Sequence, residues 1–469
     1  MENKNERRDI WIVAAAVAIF SLLKIFSLHY RFGDENVYFY MSNAVLHGAL
    51  PYKDFFLADP PFFIYLMAGF KAIFGSHLIL FKILPVLLDS LSSVLLYLIL
   101  RNKNSFAVLG PIFYLFSFTV LSTSDYVTGA EVMIFFVLLG IYLDRREKYY
   151  YSGVAWALAC VSKLYAGPAL LGFMFYKVLT KDFKSLQKII LGGLAASIVV
   201  LLPFLFLAPR QTLYDLIIHQ LQRPAGINKW NIMRVFISFE WLFLIAATIG
   251  AFVSKNKKFV FPLIFSAIFF LIYRDLYYLY LHLLLPFVVI LAVETVEFLN
   301  KRKEEFAWSF IVLYICIALY ALFGYTNTYK QEGIFENPQE IAAALKAVPE
   351  NLPVYGAQEV APLVALMSGR KIFDNVIDTN TQNFAAGTHN LKLISENAAQ
   401  VGIYLVARTA EYPDQNIHNT GFEGYFDEGG EGIEVHRFRR SVKSLATHRP
   451  AAVSLRERSQ RKTEFKRVF

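Results

Sequence analysis

Cysteine is nearly absent from this 469-residue chain: Cys160 and Cys316 are its only two, and both lie inside apolar runs. That excludes a disulfide framework and any knuckle of closely spaced thiolates, and leaves both thiols as packing residues. Charge is scarce as well. Asp, Glu, Lys and Arg make up 18% of the chain and apolar residues 56%, against about 25% and about 45–50% in a soluble globular domain. An ordinary soluble enzyme is thereby excluded. With a mean hydropathy of +0.43, the surplus calls for a second apolar solvent, and the runs that carry it are long enough to name a lipid bilayer. No small-residue cleavage site follows the first apolar run, residues 10–28, so it reads as a retained span and not as a removed leader. No clear internal repeat is found.

What is there is a series of eleven apolar stretches: 10–28, 77–100, 106–121, 132–143, 150–161, 165–179, 189–207, 235–253, 259–273, 276–298 and 306–324. Several fall short of the roughly 20 residues that cross about 30 Å of hydrocarbon, so their helices must extend into flanking aromatic and polar residues. The short basic loops around Arg7, Arg101, Arg145, Lys184, Lys257 and Arg302 all land on one side if eleven spans are used, and the positive-inside rule makes that side cytoplasmic. Counting residues 60–75 as a further span would invert every later loop. Their short length and Pro60-Pro61 start suit an interfacial or re-entrant helix.

The fold class that follows is an all-α polytopic membrane protein of about eleven transmembrane helices, in the cell membrane, with its N-terminus cytoplasmic. Residues 1–325 form this part, with an external loop at 29–76. Residues 335–438 change character: 338–348 has helical apolar spacing, 354–357 reads as a strand, 360–367 as a helix and 401–408 as a buried strand. These signals predict a small α/β extracytoplasmic domain. No phosphate-cradling glycine loop precedes a helix there, and Gly429-Gly430-Glu431-Gly432 looks like a hairpin turn.

The unusual residues collect on the external face. The first loop carries Asp34-Glu35 immediately beyond a span, followed by Tyr38. A partly desolvated carboxylate at the lipid edge has its proton affinity raised, which suits a general base. The competing reading is an acidic turn that caps the helix after it.

The order Asp34-Glu35, Tyr38, Gly48, Pro51-Tyr52, Asp54, Pro60-Pro61, Tyr65, Phe74-Gly75 resembles the first external loop of the GT-C superfamily of membrane glycosyltransferases. The likeness is to the dolichyl-phosphate-mannose-protein mannosyltransferase-like proteins of bacteria and archaea. Glu131, Phe135-Phe136, Ser152-Gly153 and Ser162-Lys163 continue it, and it covers residues 10–180 well. The resemblance implies a GT-C-like fold and transfer of a sugar from a polyprenyl-phosphate donor to a protein, lipid or polysaccharide acceptor outside the cytoplasm, with inversion. Asp34, with Glu35 beside it, matches the family's acidic pair and would deprotonate the acceptor hydroxyl. No sugar nucleotide or other cofactor is required.

A leaving phosphate needs cations. Lys163 sits between two short spans, where an unpaired ammonium at the hydrocarbon edge is costly and points to function, with snorkelling to the interface as the alternative. Arg223 closes an amphipathic stretch over 213–223 that also holds His219, and Arg274 is a second candidate that could instead pair with neighbouring Asp275. Asp125 and Glu131 form a second acidic group, suited to orienting sugar hydroxyls or positioning Lys163; Tyr38, His219 and His282 join them as positioning candidates. These acids would admit a divalent metal in principle, but none is indicated, since the Asp-X-Asp spacing of metal-dependent relatives is missing from the first loop. Asp59 also departs from the His or Lys often found before Pro-Pro in the family. The main alternative is a transporter or lipid flippase, to which Asp89 and Lys24, charges inside spans, lend support.

The net charge of +9 resolves on location. Residues 439–469 hold ten basic and two acidic residues, a net +8, which leaves the rest of the chain at +1. The basic balance therefore belongs to a tail expected to be disordered, and gives no reason to invoke nucleic acid.

Overall fold

The computed structural model describes residues 4–75, 77–102, 104–254, 257–327, 334–335, 338–348, 351–408 and 433–438. The expected tail at 439–469 and the turn at 429–432 lie outside them. Every apolar stretch is helical. Among the described residues five segments are long and apolar enough to cross a membrane alone: Leu78–Leu100, Phe183–Leu207, Lys229–Val253, Tyr278–Arg302 and Glu304–Thr326. Others are shorter, such as Ala166–Leu179 and Val260–Ile272. The stretch at 106–121 is broken into Leu109–Leu115 and Phe118–Thr123, where Ser117 turns the chain and accepts the Val120 amide at the second helix start. A short helix surrounded by protein has its backbone polar groups satisfied by neighbours and need not match the hydrocarbon thickness. Ala130–Arg145 is such a helix, buried from Ala130 through Ile134.

Small residues bring the helices together. A side chain at Gly153 would overlap the Ile189 carbonyl and one at Gly192 the Tyr150 carbonyl, so Tyr149–Cys160 and Phe183–Leu207 touch backbone to backbone. Buried ion pairs add fixed points. Lys24 Nζ donates to Asp125 Oδ1 at 2.7 Å, the Leu121 carbonyl at 2.7 Å and the Tyr325 hydroxyl at 2.8 Å, tying the first helix to the last span. Lys177 and Lys258 both reach Asp144, at 2.7 and 2.5 Å.

After the bundle, Pro338–Ala347 and Ala361–Ser368 pack beside a three-stranded sheet. β1 (Val354–Gly356) runs parallel to β2 (Ile403–Arg408) with Val354 opposite Tyr404, and β3 (Ile433–Phe438) is antiparallel to β2 with Phe438 opposite Ile403. The helices and strands expected over 338–408 are therefore present. This layer rests on the first external loop: the Phe335 amide donates to the Tyr30 carbonyl at 2.8 Å, Phe32 stacks on Phe335, and the Ile372 amide donates to the Tyr40 hydroxyl at 2.8 Å. The segment 60–75 holds one short helix, Phe62–Phe74, pinned at its start by the Phe62 amide on the Val161 carbonyl.

Candidate functional site

Asp34 stands at the start of the helix Glu35–Leu46 but does not cap it; its side chain makes no bond to the first helical amides. The capping reading is thus set aside by geometry. The backbone at this point is held from behind, because the Asp34 amide donates to the Tyr126 hydroxyl at 2.8 Å. Tyr126 lies so close over Gly33 that any side chain there would overlap it. The carboxyl is left to face inward, where Gln358 Nε2 donates to its Oδ1 at 3.1 Å.

One helical turn on, Tyr38 shares that face. Its hydroxyl donates to Asp59 Oδ2 at 2.7 Å, and Lys163 Nζ donates to the same oxygen at 2.5 Å and to the Tyr38 oxygen at 3.0 Å. Lys163 reaches this point from the turn between Tyr149–Cys160 and Ala166–Leu179 and is almost fully buried, so it does not snorkel. Arg223, at the end of the helical segment 209–222, bonds Gln382 Oε1 through Nε and Nη2 at 2.9 and 2.7 Å and pairs with Asp275 Oδ2 at 2.7 Å. Gln382 Nε2 in turn donates to Asp275 Oδ1 at 2.7 Å, so the guanidinium is oriented from both sides.

These groups line one cavity of about 60 Å³, with Asp34, Tyr38, Asp59, Lys163, Arg223 and Asp378 on its walls. Three carboxylates face two cations. Burial, then the nearby charges of Asp378 and Glu359, push the Asp34 carboxyl up to about 7, with Lys163 and Arg223 opposing. A carboxyl poised near neutrality beside two fixed cations can accept a proton while the cations hold an anion. Tyr165, Tyr277 and Tyr280 supply an aromatic wall.

The other expected site residues lie elsewhere. Glu35, one residue from Asp34 and so turned by about 100°, is fully buried and takes Lys82 Nζ at 2.7 and 2.6 Å on its two oxygens. Asp125 is held by Lys24 and by Arg31 at 3.2 Å, and neither it nor Glu131 positions Lys163, whose ammonium is held by Asp59. Glu131 and His282 gather with Asp89 in a separate buried group. His219 Nδ1 meets the Thr388 hydroxyl at 2.8 Å and its ring packs on Phe56; burial, then Arg223 and His389, lower it to about 4, so it is neutral at pH 7. Arg274 is exposed and outside the cavity, and its neighbour Asp275 pairs with Arg223 instead.

Several cavity residues escaped the sequence reading. Asp59 stood out only as an anomaly before Pro60-Pro61, and Tyr277 and Tyr280 lie within the apolar stretch 276–298 and carried no signal of their own. Gln358, Asp378 and Asn380 come from the layer beyond the last span, and no spacing connects them with Asp34 more than 300 positions earlier.

The family model described as dolichyl-phosphate-mannose-protein mannosyltransferase matches residues 58–207. An uncharacterized protein of Aquifex aeolicus (strain VF5) is 25% identical in an alignment 310 residues long that covers 58% of this chain and 60% of that relative's length. Among solved structures, ArnT from Cupriavidus metallidurans bound to undecaprenyl phosphate aligns with a TM-score of 0.65 at 15% identity, over 94% of this chain and 99% of that one. Its apo state gives 0.64 at 16%, over 93% and 99%. The arabinofuranosyltransferase AftD from Mycobacteria gives 0.55 at 13%, over 91% of this chain and 40% of its own. At these identities the likeness is one of fold: the chain has an ArnT-like fold over nearly its whole length.

Proposed function

We propose that this GT-C-fold chain is a multi-pass membrane glycosyltransferase that moves a sugar from a polyprenyl-phosphate carrier to an acceptor hydroxyl on the extracytoplasmic face. The observation that carries the proposal is the shared cavity in which the Asp34 carboxyl, raised to about 7, faces Lys163 and Arg223. The ArnT structure that holds undecaprenyl phosphate has the same fold over nearly its whole length, which supports a lipid-phosphate donor.

In this reading the Asp34 carboxylate takes the proton of the acceptor hydroxyl as its oxygen attacks the anomeric carbon. The bond from that carbon to the phosphate oxygen breaks, and polyprenyl phosphate leaves with the electron pair. Attack opposite the leaving group inverts the carbon. Lys163 and Arg223 hold the phosphate as its charge grows, a role suited to cations already fixed in place and partly desolvated. Asp59 and Asp275 keep those cations oriented. Asp378 and Asn380 face the sugar.

A cavity of about 60 Å³ holds only a few waters, at roughly 10–15 Å³ of such volume each. The wall formed by Gln358, Asp378 and Asn380 must therefore withdraw to admit the donor. The external placement of this layer follows from the basic loops on the opposite face. The division into a membrane part at 1–325, a domain at 335–438 and a basic tail belongs to the same reading.

The test is to incubate the purified full chain with a polyprenyl-phosphate sugar and an acceptor extract and to measure release of polyprenyl phosphate. Release that requires Asp34 supports the proposal. No release with any donor of this class, alongside undiminished binding of the lipid, would direct attention to the flippase reading.

A further inference from the structure

Three ionisable side chains inside the bundle have no part in the proposed transfer. Asp89 lies on Ile83–Leu100, Glu131 in the first turn of Ala130–Arg145, and His282 on the 3-10 helix Tyr278–Leu284. Their exposures are 0%, 2% and 0%, and each offers one ligand atom within 4.8 Å of the other two. Two carboxylates buried this deeply cost several kcal/mol each unless their charge is met. Among the described residues no Lys or Arg forms an ion pair with either; Asp89 has only His282, with Nε2 at 3.6 Å from Oδ1.

The hydrogen-bond network assigns the protons. Thr123 Oγ1 donates to the Thr119 carbonyl at 2.9 Å, so its oxygen accepts from His282 Nδ1, 3.0 Å away. That fixes a hydrogen on Nδ1 and leaves a lone pair on Nε2. The nearest hydroxyl to Nε2 is that of Tyr114 at 3.0 Å, but Tyr114 already donates to Asp89 Oδ1 at 2.6 Å. Asp89 Oδ2 and Glu131 Oε1 have no hydrogen-bond partner. Each of the three side chains thus keeps an acceptor without a donor, and one ligand atom of each lies within 4.8 Å of the other two. A single shared proton meets at most two of the three side chains and cancels one charge, whereas a divalent cation bound to an atom of each meets all three and cancels both charges.

We propose that Asp89, Glu131 and His282 form a divalent metal site and that the ion is zinc. One imidazole nitrogen and two carboxylate oxygens are a ligand set zinc accepts at about 2.0–2.2 Å. The Thr123 contact on the far nitrogen is the outer bond that holds a ligating histidine in the required tautomer. Ligand atoms around one ion stand closer together than the present upper separation, so small side-chain rotations close the triad on binding. The ion pins three membrane segments to one another, a structural role separate from sugar transfer.

The experiment uses the full chain in detergent, stripped with a chelator, reloaded with zinc and freed of excess ion, with bound metal measured by inductively coupled plasma mass spectrometry. About one zinc per chain is expected, with a thermal unfolding midpoint that rises with zinc concentration. His282→Ala and Asp89→Asn should lose the retained zinc, and His47→Ala, at an exposed histidine, should keep it. Wild-type protein that retains no zinc and shows no shift overturns the proposal. So does His282→Ala that retains as much as wild type, which would place the ion elsewhere. If the variants do not fold, the wild-type zinc titration decides alone. None of these readouts depends on transfer activity.

Discussion

In the proposed mechanism, a general base held at about 7 leaves a signature in the pH dependence of transfer. Burial among Asp378 and Glu359 raises the Asp34 carboxyl to that value from an ordinary 3.8, and only the ionised form can take the acceptor's proton. The ionised fraction is about 9% at pH 6 and about 91% at pH 8, so the chemical step should rise about tenfold between them. An unperturbed carboxylate would give a flat profile over the same range. Asp34→Asn keeps an Oδ1 acceptor for Gln358 but removes the base, and the loss expected for a general base is about 10²–10⁴-fold. Stability should move the other way. A carboxyl raised in the folded state opposes folding increasingly as pH rises from 3.8 toward 7, so the neutral Asp34→Asn variant should melt no lower than wild type at pH 8. The assay is single-turnover release of polyprenyl phosphate at saturating donor, alongside a thermal melt. A flat wild-type profile from pH 6 to 8, or a near-normal rate in the Asp34→Asn variant, would refute the assignment.

Other substitutions separate the cavity from its supports. Lys163→Ala removes the charged donor proposed for the phosphate, a bond of about 1.5–3 kcal/mol, so the apparent donor KM should rise roughly ten- to a hundredfold; unchanged donor kinetics would show that Lys163 serves only Asp59 and Tyr38. Glu35→Gln strands the buried Lys82 ammonium and should cost about 3–5 kcal/mol of stability, seen as a lower melting midpoint at every pH from 6 to 8, with the pH dependence of residual transfer kept. A changed pH profile would return Glu35 to the chemistry. Asp275→Asn loosens Arg223 without removing it, so donor KM should rise while the pH profile stays that of Asp34; a displaced profile would count against this division of roles.

The helical bundle was largely legible because hydrophobic runs are local signals. Residues 10–28 and 306–324 need no partner to be read as helices. The same holds for 338–348 and 401–408, where periodicity of 3.6 and a short apolar run indicated the helix and strand that are found. The site was legible in part. Lys163 stood out because an ammonium between two apolar runs is costly, and Asp34 because it follows a span. Which acid of the Asp34-Glu35 pair faces the cavity was not legible, since that depends on Lys82 arriving from a distant helix to take Glu35. Arg223 and Arg274 were likewise equivalent until Asp275 was seen to choose the first. Lys24 and Asp125, each a candidate for function in isolation, proved to be partners in one buried pair. Long-range pairing, which no local pattern encodes, accounts for these differences.

The most direct test of the central claim is mass spectrometry of lipid extracts from cells that carry the wild-type chain, its Asp34→Asn variant, or neither. A polyprenyl-phosphate sugar should accumulate equally in the variant and in the absence of the chain, and fall when the wild type is restored. A lipid-linked sugar pool that is the same in all three would mean that the chain does not consume such a donor through Asp34.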